Sequence, residues 1–202
     1  MNKSELLAQA KPILFNTEMV RAILDGRKTR TRRVITPQPE KSGNFSLYRW
    51  KCYTDMIGES EVSSKLKNSP FAKYTIGDIL YVRETWVKGS FGNEKPKYFY
   101  RTDYPYICFS WKASIHMPKE AARIFLRVTG VRAERLQDIT ASECIKEGIP
   151  KESLIEVGED FTIGQFDDLW NSTIKKKDLP LYGWEANPWV WVYKFEIIEV
   201  TP

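Results

Sequence analysis

Residues 16–35 read Asn16-Thr17-Glu18-Met19-Val20-Arg21-Ala22-Ile23-Leu24-Asp25-Gly26-Arg27-Lys28-Thr29-Arg30-Thr31-Arg32-Arg33-Val34-Ile35. Met19, Val20, Ile23 and Leu24 recur at the i, i+3, i+4 spacing of a short amphipathic helix, which Asn16 or Thr17 is suited to cap. Glu18 complements the positive helix start, and Gly26 suits the left-handed position after its end. The helix therefore delivers the chain into residues 27–33, read as a turn leading into a strand that runs to Val34-Ile35. Pro37 and Pro39 stop that strand. Upstream, Ile13-Leu14-Phe15 reads as a short buried strand, and residues 1–11 read as a weakly fixed leader.

The same seven residues hold the formal charge. Arg27, Lys28, Arg30, Arg32 and Arg33 are five cations with no acid among them, and the rest of the chain carries as many basic as acidic residues, 26 of each. Neighbouring cations add their potentials within a Debye length of roughly 8 Å, so such a cluster is expected to attract phosphate.

Working outward, residues 36–73 are rich in Ser, Asn, Lys and Gly with isolated Tyr48, Trp50 and Tyr53, and read as an insertion. Regular structure resumes at a turn, Tyr74-Thr75-Ile76-Gly77-Asp78, followed by a strand over 79–86 and another over 97–101. Residues 124–136 alternate as a strand with Gly130 as a bend. Thr140 and Glu143 have capping-box spacing, and Gly148 closes the helix that follows. Ile163, Phe166, Leu169 and Trp170 mark a second helix, and Trp189 to Ile197 form a final strand. Short strands interleaved with short helices, without a repeating strand–helix alternation, predict an α+β fold: a small mixed β-barrel with flanking helices in a single domain over 12–202, carrying the 36–73 insertion.

Composition narrows the chemistry. With 42% hydrophobic residues the 202-residue chain can bury a sizeable core. No apolar run approaches the roughly 20 residues of a membrane span, and the first residues lack the apolar stretch of a secretory signal, so a cytoplasmic protein is expected. Cys52, Cys108 and Cys144 are widely spaced without a CxxC pair, which predicts reduced thiols and no structural zinc. A single histidine, His116, disfavours His-rich metal centres; no metal and no cofactor is expected. Catalysis must therefore draw on other groups. Lys28 lies among four arginines, an environment that disfavours its proton and suits a base. Thr31, three residues on, offers a hydroxyl for such a base to activate. Glu147 ends the 140–147 helix, where the macrodipole disfavours an anion by roughly 0.3–1 kcal/mol, so a tertiary partner or a function must hold it there. Trp86 and Trp111 are candidate stacking platforms beside charged residues, with Arg83 and His116 as nearby polar candidates.

Several blocks resemble one family. Pro12-Ile13-Leu14-Phe15-Asn16-Thr17, the run from Met19 to Val34, Gly77-Asp78-Ile79-Leu80-Tyr81-Val82-Arg83-Glu84-Thr85-Trp86, Trp111 to Pro118, Glu134 to Ile139 and Asn187-Pro188-Trp189-Val190-Trp191-Val192 are similar to the longer, phage- and prophage-type ASCH-domain proteins of the PUA-like superfamily. That resemblance implies a PUA-like β-barrel with a basic cleft for RNA, a nucleoside or a nucleotide. A small member of the family hydrolyses the acetyl amide of N4-acetylcytidine with a lysine, a threonine and a glutamate. By similarity these fall on Lys28 as base, Thr31 as nucleophile and Glu147 as acid–base partner, with Arg33 holding substrate or the developing oxyanion. Arg27, Arg30 and Arg32 complete the implied nucleic-acid surface. The alternatives are a noncatalytic RNA-binding module, a ribonuclease, or a phage accessory protein that engages a host protein through the insertion.

Overall fold

The structure is a computed structural model describing residues 1–41, 47–49, 57–58, 72–90 and 94–200. It is an α+β fold built on a sheet of order β1-β6-β9-β10-β2, where β1 is Lys11–Leu14, β2 Arg30–Val34, β6 Ile79–Arg83, β9 Phe125–Arg135 and β10 Trp189–Ile198. Strands β3 (Glu40–Lys41), β4 (Leu47–Arg49) and β5 (Ile57–Gly58) form a small antiparallel sheet, so part of the insertion is structured. Strands β7 (Trp86–Gly89) and β8 (Lys97–Tyr100) form an antiparallel pair. No closed barrel is seen among the described residues. Trp50, Cys52 and Tyr53 lie outside them.

The chain divides into two compact units. The first comprises Met1–Thr29, Gly77–Val128 and Phe195–Pro202. Its β1 pairs in parallel with β6, Ile13 opposite Val82, and β6 pairs antiparallel with the start of β9. The expected leader is instead a helix, α1 (Lys3–Gln9). Asn2 and Glu5 make a reciprocal capping box, and Leu6 is fully buried with Ile79, Trp86, Met117 and Phe125. One buried leucine in a polar heptamer has no periodicity to announce it, which is why the sequence reads as a leader there. Helix α2 (Thr17–Leu24) starts on Asn16, whose side chain accepts from the Met19 amide at 2.8 Å. Gly26 takes the left-handed conformation expected, φ +73°. The expected single strand 79–86 is interrupted at Glu84, a buried carboxylate that receives Arg123 in a bidentate pair at 2.9 and 3.0 Å.

The second unit comprises Arg30–Ile76 and Thr129–Lys194. Thr140 caps α3 (Ala141–Glu147), accepting from the Glu143 amide at 3.3 Å, and left-handed Gly148 ends it. Its core joins Leu136, Ile139 and Cys144 to Phe166 and Trp170 of α4 (Glu159–Thr173) and to Val190 and Val192 of β10. Cys108 and Cys144 are free thiols.

Candidate functional site

Strand β2 pairs antiparallel with β10, placing Thr31 opposite Tyr193, Arg32 opposite Val192 and Arg33 opposite Trp191. Side chains alternate along a strand, and directly opposed residues share a face. Thr31, Arg33, Tyr193 and Trp191 therefore lie on one face of this pair, and Arg30, Arg32, Val34, Val190 and Val192 on the other.

The second face holds a charge network. The Arg32 side chain is 0% exposed. Its guanidinium donates to Glu134 at 2.9 and 2.5 Å, to Glu143 at 2.6 Å and to Glu147 at 2.9 Å. Arg30 also pairs with Glu143, and Arg132 bridges Glu134 and Glu143 at 2.7 Å each. Three arginines thus meet three glutamates. Burial opposes the charge of Arg32, but Glu147, Glu134 and Glu143 outweigh it and raise its pKa above the ordinary arginine value. Burial likewise opposes the Glu143 carboxylate, and the attraction of Arg32, Arg132 and Arg30 prevails, holding its pKa below the usual glutamate range. Glu143 gives its backbone amide to Thr140 and its carboxylate to these arginines, so the cap is one-sided.

Several of the cations expected to face phosphate are engaged by carboxylates. Arg32 is enclosed by carboxylates and Arg30 is held by Glu143, while Arg27 pairs with Asp25 at 3.1 Å. The pattern is unreadable locally because Glu134, Glu143 and Glu147 lie 102 to 115 residues downstream of Arg32. The oddly placed Glu147 finds its partner here.

The first face is different. Arg33 Nη1 donates to Thr31 Oγ1 at 2.6 Å and to the Arg32 carbonyl at 2.8 Å. Burial lowers the Arg33 pKa, partly offset by Glu147, Tyr74 and Tyr193, so those three groups are close enough to act on its charge. Thr31 and Glu147 are buried, and the Tyr74 ring meets Tyr193 edge-on at 5.1 Å between centroids. A threonine hydroxyl that accepts from a cation keeps its own hydrogen to give to a base and one lone pair for attack. Tyr74 and Tyr193, which sequence reasoning did not single out, complete this cluster; the alternation of the last strand was the advance sign for Tyr193, and Tyr74 showed only as the head of a turn.

In the first unit, Lys28 is buried, its Nζ 5.5 Å from the Phe15 ring centroid and its amide bonded to the Ala22 carbonyl at 2.8 Å. Trp86 lies within the core and is no open platform; its ring packs on Tyr98 at 5.7 Å. Trp111 is half-buried against Phe109 at 5.3 Å. Arg83 bonds the Ile115 carbonyl, and His116 is exposed at the end of a short 3₁₀ turn, Ser114–His116.

Among the described residues, no helix is long and apolar enough to cross a membrane, and no group of three His, Cys, Asp or Glu side chains is arranged to hold a metal ion. In comparisons with known proteins, no family model, no curated protein and no solved structure matches the chain.

Proposed function

We propose that the chain is a PUA-like ASCH protein that binds a modified nucleoside, nucleotide or RNA at the Thr31–Arg33–Glu147 cluster and hydrolyses an N4-acylated cytosine there. The observation that carries this reading is the 2.6 Å hydrogen bond from Arg33 to Thr31, a hydroxyl poised as nucleophile beside a cation suited to an oxyanion. Thr31 Oγ attacks the acyl carbon as its proton passes to a general base, the role that the resemblance gives to Lys28. The tetrahedral oxyanion is held by Arg33. On collapse the C–N bond breaks, that base returns the proton to the departing cytosine amine, and a threonyl ester remains. Water then gives a proton to Glu147 as hydroxyl attacks the ester; the acid leaves and Glu147 returns the proton to Thr31.

Incubation with N4-acetylcytidine, followed by chromatography for cytidine, tests the reading. Thr31→Ala is expected to abolish release and Thr31→Ser to retain part of it. Absence of turnover by the unaltered protein, or full turnover by Thr31→Ala, defeats it.

The second reading, a noncatalytic RNA-binding module, is favoured by the β7–β8 hairpin and the loop after it. Lys88 lies 5.2 Å over the Tyr98 ring, Lys97 5.6 Å over Phe99, and Tyr106 is 96% exposed. Exposed lysines beside the half-buried Tyr98 ring and the exposed Tyr106 suit backbone attraction with base stacking on a single strand. Engagement of a host protein through the 36–73 insertion remains a third reading, testable by pull-down with and without that segment.

A further inference from the structure

We infer that Tyr193 is a further catalytic residue, its phenol hydroxyl donating to the substrate's acyl oxygen alongside Arg33. The inference rests on the hydrolytic reading above. Its basis is geometric. Tyr193 sits directly opposite Thr31 in the β2–β10 register, so both side chains rise from the same face of the pair. Arg33, on that face two residues from Thr31, is bonded to the Thr31 hydroxyl and acts on the charge of Tyr193.

Tyr193 is fully buried, yet its hydroxyl makes no hydrogen bond of ordinary geometry among the described residues. The backbone amides of Lys73 and Tyr74 approach that oxygen as donors, which leaves the phenolic hydrogen without an acceptor. A buried hydroxyl whose hydrogen has no acceptor forgoes part of the return on its desolvation, and such groups call for an explanation. A core position needing only bulk is satisfied by phenylalanine. The Tyr74 ring, packed edge-on at 5.1 Å, restrains the orientation of Tyr193 and so pre-positions the hydroxyl.

The chemistry fits an oxygen that gains negative charge. Burial pushes the Tyr193 phenol up to about 12, so it remains a neutral O–H donor throughout the neutral range. With Arg33 it supplies two donors of different kinds, one cationic and one neutral, for the acyl oxygen, an acceptor that an unacylated nucleoside lacks. No proton is transferred by Tyr193 in this role; the hydrogen bond shortens as the oxyanion forms and relaxes when the ester appears.

The test is Tyr193→Phe in the full chain, with N4-acetylcytidine turnover and thermal melting measured side by side. The expected result is a fall in kcat of roughly 10²–10³-fold, the cost of one oxyanion donor, with KM changed far less. The melting temperature is expected to fall little, because the ring is kept and only the weak approaches of the Lys73 and Tyr74 amides are lost. A hydroxyl with only a structural role would instead lower the melting temperature and leave kcat in place. Hydrolysis that is lost in Thr31→Ala but unchanged in Tyr193→Phe overturns the assignment of Tyr193 alone. Absence of hydrolysis by the unaltered protein overturns it together with the reading on which it rests.

Discussion

Two stretches of this chain carry five cations each, residues 27–33 and residues 86–112, and the structure uses them in opposite ways. In the first, Arg32 is enclosed by three glutamates, Arg30 shares one of them, Arg27 takes Asp25, Lys28 is buried and Arg33 bonds Thr31. In the second, Lys88, Lys95, Lys97, Arg101 and Lys112 are all exposed. The denser cluster is thus the less available to a polyanion. A local run of charge reports a potential only when the counter-charges also are local, and here they arrive from β9 and α3.

The largest break in this contrast is expected from Arg32→Ala. Removing the shared partner leaves three carboxylates facing one another in a partly buried site, and a loss of about 3–5 kcal/mol in denaturant unfolding is expected. Arg32→Lys recovers only part, because an ammonium lacks the planar fork that reaches three acceptors. The second test is acid. Because the folded pKa of Glu143 lies below its unfolded value of about 4.5, its contribution is present above that value and is lost as pH falls through the folded pKa. Stability measured from pH 6 downward should therefore decline below about pH 4.5, and Glu143→Gln should flatten that decline. The smallest effect is reserved for the outer cations. Lys88→Ala, Lys97→Ala and Lys112→Ala are each expected to change stability by less than about 0.5 kcal/mol. If the hairpin binds a single strand, each lowers the slope of log affinity against log salt by about 0.7 for every phosphate contact removed. Equal slopes in the triple variant and the parent would remove the hairpin from any RNA reading.

The elements whose signals are local were legible in the sequence. Asn16 and Gly26 bound α2, Thr140 and Gly148 bound α3, and alternation marks β9 and β10. What escaped depends on distant pairing. Leu6 becomes a core residue only when α1 meets residues near 80 and 120, and Trp86 is core because Tyr98 covers it. Within the candidate site, spacing and resemblance single out Thr31, Arg33 and Glu147, while Tyr193 is found only through the β2–β10 register. That Arg32 and Arg33, adjacent and chemically identical, serve opposite faces follows from alternation, but the face each takes is set by β10.

Strand β2 stands last in its sheet, and this gives Arg33 a second consequence. The Ile35 amide bonds the Trp189 carbonyl, and the Thr29 carbonyl accepts from Phe195, so the odd-numbered backbone groups turn toward β10 and the even-numbered ones turn away. The Arg32 carbonyl is among those turned away, and the Arg33 guanidinium folds over it at 2.8 Å. A terminal strand offers such carbonyls to any extended chain that arrives, and here one of them is already occupied by a bulky cation. The residue that steadies Thr31 thereby also occupies a main-chain acceptor of this terminal strand.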